Sequence, residues 1–173
     1  MTITDARVDT FGVEEFRAVF RNHPGPVAVI TLRDLDGRPV GFTATSVISI
    51  SASPAVVGFS IMQTSSSWPA LAEASSVVVH FLDVDDVAIS RKFAVSGIDR
   101  FEGLNWRTLP TGEPVLPIHG TWVRARVLGS LPVGSSFFVH VEPVEASITD
   151  RRRPLVYHDR KYHELVDASM LSE

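Results

Sequence analysis

Two β-prone runs, residues 120–131 and 136–148, are separated only by the turn Pro132-Val133-Gly134. So short a connection folds the second run back on the first as one long antiparallel hairpin. The rest of the chain repeats the theme in shorter units. Residues 27–33 read as a strand, Asp36-Gly37 as a turn, 38–50 as a second strand and 55–61 as a third. Residues 76–82 read as a buried strand, and a last pair, 155–158 and 161–165, closes around Asp159-Arg160. Strands joined by short turns, with helices few and peripheral, predict a mainly β fold. An antiparallel barrel suits this pattern better than a parallel sheet wound with helices.

Helical spacing is confined to three places. Val13, Phe16, Val19 and Phe20 share one face of a helix over 13–22, which His23-Pro24-Gly25-Pro26 ends. Ser67-Trp68-Pro69 reads as a helix start, with Ser67 as its cap, running to Ala74. Residues 83–94 read as a third helix, acidic in its first turn and carrying Arg91-Lys92 in its last, as the helix dipole favours. Residues 95–117, rich in Gly, Pro and Asn, read as a long, partly extended excursion. No repeat, low-complexity tract or composition break divides the chain. One domain over residues 13–167 is expected, between tails 1–12 and 168–173.

Composition excludes several functions. With 173 residues, 45% of them hydrophobic, the chain can bury a core without disulfides or a structural metal. It has no Cys, which removes disulfides, zinc–thiolate sites and thiol catalysis and suits a cytoplasmic protein. A net charge of −4 and a pI near 5.8 argue against a nucleic-acid or anionic-membrane partner. The start, MTITDARVDTF, is polar and lacks the apolar region of a signal peptide, and the longest apolar stretch, 77–82, is too short to span a bilayer. The six His residues never fall at metal-ligand spacing, so no metal is expected. The dinucleotide fingerprint, the P-loop and the hydrolase nucleophile elbow are absent.

The chemistry left is that of polar clusters. Thr43, Thr45 and Ser46 put small hydroxyls in a β-prone run, where they either hydrogen-bond an oxyanion such as phosphate or satisfy their own backbone. His80 interrupts the apolar strand Val77-Val78-Val79-His80-Phe81-Leu82, as a hydrogen-bonded core residue or as a ligand-facing one. Trp68, Trp106 and Trp122 either stack on a ligand ring or fill a core or a subunit interface. Arg100-Phe101, after Gly97-Ile98-Asp99, either clamps a phosphate or carboxylate or pins its loop. Arg151-Arg152-Arg153 reads as a solvated loop.

Several segments follow one another in a recognisable order. Phe16-Arg17 precedes Pro26-Val27-Ala28-Val29-Ile30-Thr31, then come Gly41-Phe42-Thr43-Ala44-Thr45-Ser46 and Ser49-Ile50-Ser51-Ala52-Ser53-Pro54. Ser65-Ser66-Ser67-Trp68, the His80 strand, Arg91-Lys92-Phe93-Ala94 and Asp99-Arg100-Phe101 come next. Gly112-Glu113-Pro114-Val115-Leu116, Pro154-Leu155-Val156-Tyr157 and Tyr162 complete the series. Over residues 16–165 the chain resembles the short-chain flavin reductases, the small partners of two-component flavin monooxygenases.

That resemblance implies a split β-barrel, usually a homodimer, with FMN or FAD in a groove near the subunit interface. It implies hydride transfer from NADH or NADPH to the flavin, with the reduced flavin leaving for a separate monooxygenase. No side chain acts as a nucleophile or general acid, because stacking and distance carry the transfer to flavin N5. Carried over by position, Thr43, Ala44, Thr45 and Ser46 face the flavin and its phosphate-bearing chain. Ser60, with Ser66, Ser67 and Trp68, encloses that chain at a helix start. His80, Phe81 and Leu82 line the ring or ribityl groove, and Phe93 and Arg100 close the far side. Two departures stand out. The family commonly carries Gly-Asp-His after the turn of the long hairpin, where this chain has Gly134-Ser135-Ser136, leaving Ser135 and Ser136 as the nicotinamide-side residues. The family's strand Asn is His80. The rivals are a flavin-binding barrel without efficient NAD(P)H oxidation, and a related pyridoxamine-phosphate-oxidase-like oxidoreductase acting on another substrate.

Overall fold

The computed structural model describes residues 11–150 and 153–166; most of the expected N-terminal tail, the whole C-terminal one, Asp167, Arg151 and Arg152 lie outside them. Helix α1 (Val13–Arg21) leads into strands β1 (Gly25–Pro26), β2 (Ala28–Arg33), β3 (Pro39–Ala44), β4 (Ile48–Ala52) and β5 (Ala55–Met62). Helix α2 (Trp68–Glu73), strand β6 (Ser76–Phe81), a 3-10 turn (Val84–Asp86) and helix α3 (Val87–Ala94) follow. The excursion carries only β7 (Arg107–Thr108) and β8 (Pro114–Val115). The long hairpin is β9 (Thr121–Val133) and β10 (Ser136–Ser147), and the last is β11 (Leu155–His158) with β12 (Lys161–Glu164).

Seven strands form the main sheet in the order β3-β2-β6-β9-β10-β5-β4, each antiparallel to its neighbour. Strands β3 and β4 are consecutive in the chain yet occupy opposite edges. The expected single strand over 38–50 is therefore two. The backbone leaves the ladder at Thr45-Ser46-Val47 and crosses from one edge of the sheet to the other. That crossing curls the sheet until Phe42 of β3 meets Phe59 of β5, with ring centroids 6.2 Å apart. The barrel remains open between β3 and β4, as a split barrel.

Side-chain alternation then decides the layers. Ala28, Ile30 and Leu32 of β2 join Phe59, Val77, Val79, Val139 and Val141 inside the barrel. Val29, together with Val27 just before the strand, faces the other way, into a second cluster with Leu82, Phe93, Phe101, Leu116 and Leu155. Strand β2 is buried on both faces, which explains its unbroken apolar run. The excursion covers much of the outer face. Thr31 donates to the Pro114 carbonyl at 2.5 Å, and Leu109, Val115 and Trp122 pack on Val78. Trp106 packs edge-on to Phe101 at 5.5 Å. Both tryptophans are used within the fold.

The third helix begins later than its composition suggests. Asp83 caps the 3-10 turn by accepting from the Asp85 N–H at 3.1 Å, while Asp86 accepts from the Asp83 N–H at 2.9 Å. Ser67 does not cap α2 with its side chain; its hydroxyl lies 3.4 Å from the Gly41 carbonyl instead. The closing turn places both Asp159 and Arg160 at positive φ, 45° and 62°. Among the described residues, no helix is long and apolar enough to cross a membrane.

Candidate functional site

Where the chain crosses the open side of the barrel it walls a cavity of about 630 Å³, within the range of small-molecule sites. Thr43, Ala44, Thr45 and Ser46 form one side, Ser60, Ile61 and Met62 another. Ser90, Phe93 and Ala94 of α3 enter from above the sheet, with Ser96 and Arg100 beyond them. Val27, Phe42 and Phe93 supply apolar surface, and among the described residues no Asp or Glu is part of the lining.

Helix α3 is held against β3 by the Thr43 hydroxyl, which donates to the Ser90 carbonyl at 2.7 Å. Gly41 permits the approach. A Cβ there would fall 2.6 Å from Phe93 Cε1 and 3.0 Å from the Ile30 carbonyl oxygen. The vacated space lets Phe93 reach the cavity while remaining packed edge-on to Phe101, 5.1 Å between centroids.

Arg100 is the only cation of the lining among the described residues. Its Nε donates to the Val95 carbonyl at 2.7 Å, and its Nη1 to the Gly41 carbonyl at 2.6 Å and the Ser67 hydroxyl at 3.1 Å. These bonds fix the guanidinium and leave Nη2 without a partner among the described residues. Burial pushes its pKa below the ordinary value, yet an arginine remains charged. A half-desolvated cation facing hydroxyls and no carboxylate has the chemistry to hold an anion.

The sequence-expected residues separate into groups. Thr43, Ala44, Thr45, Ser46, Ser60, Phe93, Arg100 and Ser136 share the cavity. Ser66 and Ser67 lie behind Arg100, in a smaller cavity of about 220 Å³ beside Gly97–Phe101. Trp68 stacks flat on Phe137, 3.6 Å between centroids, and so packs on the barrel. His80 is fully buried outside the cavity, with Nδ1 3.1 Å from the Val29 carbonyl and Nε2 accepting from the Leu116 N–H at 3.0 Å. Phe81 packs against the barrel core and Leu82 in the second cluster, and neither lines the cavity. Ser135 also stands outside it, its carbonyl accepting from the Gln63 N–H at 3.0 Å.

Other lining residues went unassigned from sequence. Thr64 and Ser65 come from the β5–α2 link, Ser90 and Ser96 from α3 and its exit, Tyr157 and Tyr162 from the last hairpin. The Tyr162 hydroxyl lies 2.9 Å from Ser90 Oγ and thereby ties that hairpin to α3. A signal existed for the tyrosines, since both close the ordered series of motifs; the serines carry none.

Residues 20–166 match the model of the flavin reductase like domain, which is most of the chain. The chain belongs to the flavin reductase like family. An NADH:FMN oxidoreductase of Rhodococcus qingshengii is 45% identical over 157 residues, covering 86% of this chain and 80% of that protein. The reductase component of a flavin-dependent trigonelline monooxygenase from Acinetobacter baylyi is 34% identical over 64% of this chain and 36% of its own length. Among solved structures, a flavin reductase domain protein from Arthrobacter sp. FB24 superposes with a TM-score of 0.83 at 37% identity, covering 88% of this chain and 95% of that one. The flavin reductase like fold thus accounts for the open barrel, and the cavity sits at its open side.

Proposed function

We propose that this protein is an NADH:flavin oxidoreductase that reduces FMN or FAD and releases the reduced flavin to a separate monooxygenase. The observation that carries the reading is the cavity itself, with hydroxyls on several walls, one exposed-edge guanidinium and apolar surface from Val27, Phe42 and Phe93. A phosphate-tailed aromatic ring needs those three features together. The Rhodococcus and Acinetobacter relatives support the reaction and the oxygenase partner.

The residues fit a flavin phosphate at Arg100, with Thr45 and Ser60 as further hydroxyl partners and Phe93 beside the ring system. Flavin, when bound, supplies the hydride-accepting chemistry that none of these side chains has. The chain's contribution is to bind, to orient by stacking, and to keep water from the ring. Ser136, at the start of β10, is the nicotinamide-side residue of this arrangement. NADH and free flavin are cytoplasmic metabolites, and that is where the activity belongs.

The working assembly is a homodimer. Support comes from exposed apolar side chains, Ile48 and Ile50 on the edge strand β4 and Leu131 and Val133 at the tip of the long hairpin. A second copy would bury them. Dimeric mass by light scattering at micromolar protein is expected, and a monomer would refute the assembly. The function is tested by FMN quenching followed by NADH consumption with FMN or FAD present. Flavin binding without NADH oxidation would favour a binding protein on the same scaffold.

A further inference from the structure

The Tyr162 hydroxyl and Ser90 Oγ, 2.9 Å apart, share one hydrogen bond but own two protons. One proton makes that bond. The other has no protein acceptor among the described residues, although both residues line the main cavity. Thr43 beside them differs, because its one proton goes to the Ser90 carbonyl at 2.7 Å.

Tyr162 is held in three ways. It faces Tyr157 directly across the β11–β12 ladder, the rings edge-on with centroids 5.2 Å apart. The Arg91 guanidinium stands over its face, 5.5 Å from the centroid. Ser90, fully buried on α3, holds the hydroxyl itself. A donor fixed in this way needs no reorganisation when an acceptor arrives.

The pair and Arg100 occupy different stations along the cavity. Arg100 is fastened to the Gly41 carbonyl and Ser90 to the Thr43 hydroxyl, two residues further along β3 and roughly 7 Å away. A flavin with its phosphate at Arg100 therefore carries its ring, beyond the ribityl chain, toward the pair.

We propose that the Ser90–Tyr162 pair uses its spare proton to donate a hydrogen bond to the flavin ring and so favours the reduced ring over the oxidised one. The proposal rests on the flavin reductase reading. A hydride from NADH arrives with its bonding pair, so the ring, neutral before, gains one negative charge as NAD+ departs. A hydroxyl bonds that anion more strongly than it bonds the neutral ring. Among the described residues, the lining has no carboxylate to oppose the new charge.

Tyr162→Phe removes the hydroxyl and keeps the ring that Tyr157 and Arg91 hold. Oxidised FMN in air and dithionite-reduced FMN without oxygen are titrated calorimetrically into the full chain. The variant should weaken reduced FMN about tenfold more than oxidised FMN, which lowers the potential of bound FMN by about 30 mV for a two-electron couple. Ser90→Ala, which frees the phenol to turn, should lose part of the same preference. Equal weakening of both forms by Tyr162→Phe, or weakening of neither, would overturn the proposal and leave the flavin reading intact, the pair then only tying the hairpin to α3. If wild type bound FMN in neither form, the flavin reading would fall and the proposal with it.

Discussion

Ser46 and Ser60 lock the crossover to the sheet: the Ser60 N–H donates to Ser46 Oγ at 2.9 Å, and the Ser46 hydroxyl lies 3.3 Å from the Ser60 carbonyl oxygen. A hydroxyl has one proton to give. That of Ser46 is spent on the protein, whereas Thr45 beside it lines the cavity with no side-chain partner among the described residues. The two neighbours should separate on mutation. Ser46→Ala should lower stability by about 1 kcal/mol and barely change FMN affinity. Thr45→Ala should do the reverse, weakening FMN by about 1.5–3 kcal/mol if it meets the charged phosphate. Urea unfolding and FMN fluorescence quenching measure the two effects. Loss of FMN binding in Ser46→Ala at unchanged stability would reverse the assignment.

Arg100 offers a sharper contrast, between flavins with and without phosphate. Arg100→Met should weaken FMN roughly 10–100-fold, the worth of one charge-assisted hydrogen bond. Riboflavin, which has no phosphate, should lose far less. Arg100→Lys keeps the charge but not the planar fork and should fall between. Equal losses for FMN and riboflavin would mean that the guanidinium only pins its loop through Val95, Gly41 and Ser67.

The barrel was legible in the sequence because strands and turns announce themselves locally. Residues 38–50 misread as one strand because Thr45-Ser46-Val47 is as β-prone as its flanks, and nothing local marks a jump between sheet edges. The helix over 83–94 failed in its first turn for a related reason. Asp83 and Asp86 bond each other's backbone as a capping box, and the turn they cap, Val84–Asp86, is 3-10 before the α-helix begins at Val87. The site was half legible. Family order located the Thr43–Ser46 wall and Arg100. Ser90, Ser96 and Thr64 are ordinary hydroxyls until the fold aims them inward. His80 and Trp68 were expected to face a ligand, and strand parity and ring stacking direct them into packing instead.

His80 carries a pH signature. It is completely buried, and desolvation pushes its pKa from 6.5 down to about 4, against hydrogen bonding to Val29 that raises it. Nε2 already accepts from the Leu116 N–H, so a second proton there would face a donor. The unfolded chain therefore takes up the proton first as pH falls. Stability from this group is complete above 6.5, declines between 6.5 and about 4, and changes no further below. The total is on the order of 3 kcal/mol. His80→Asn, the residue of the resembled family, should flatten urea midpoints across that window. An unchanged pH slope in the variant would assign acid sensitivity to other groups.

Ser136 stands in the cavity where the resembled family commonly has an imidazole, and Ser135 beside it lies outside. A hydroxyl offers a weaker contact than an imidazole, so nicotinamide binding should be loose. Such a contact acts alike on bound substrate and transition state, which raises KM and spares kcat. Ser136→His should lower the KM for NADH by about tenfold, near 1.4 kcal/mol, with kcat little changed. Placing His at Ser135 instead should do nothing to KM, because that side chain does not line the cavity. Steady-state NADH oxidation at saturating FMN reads both variants. A wild-type KM already in the low micromolar range, or an equal gain from Ser135→His, would show that the nicotinamide does not approach this turn.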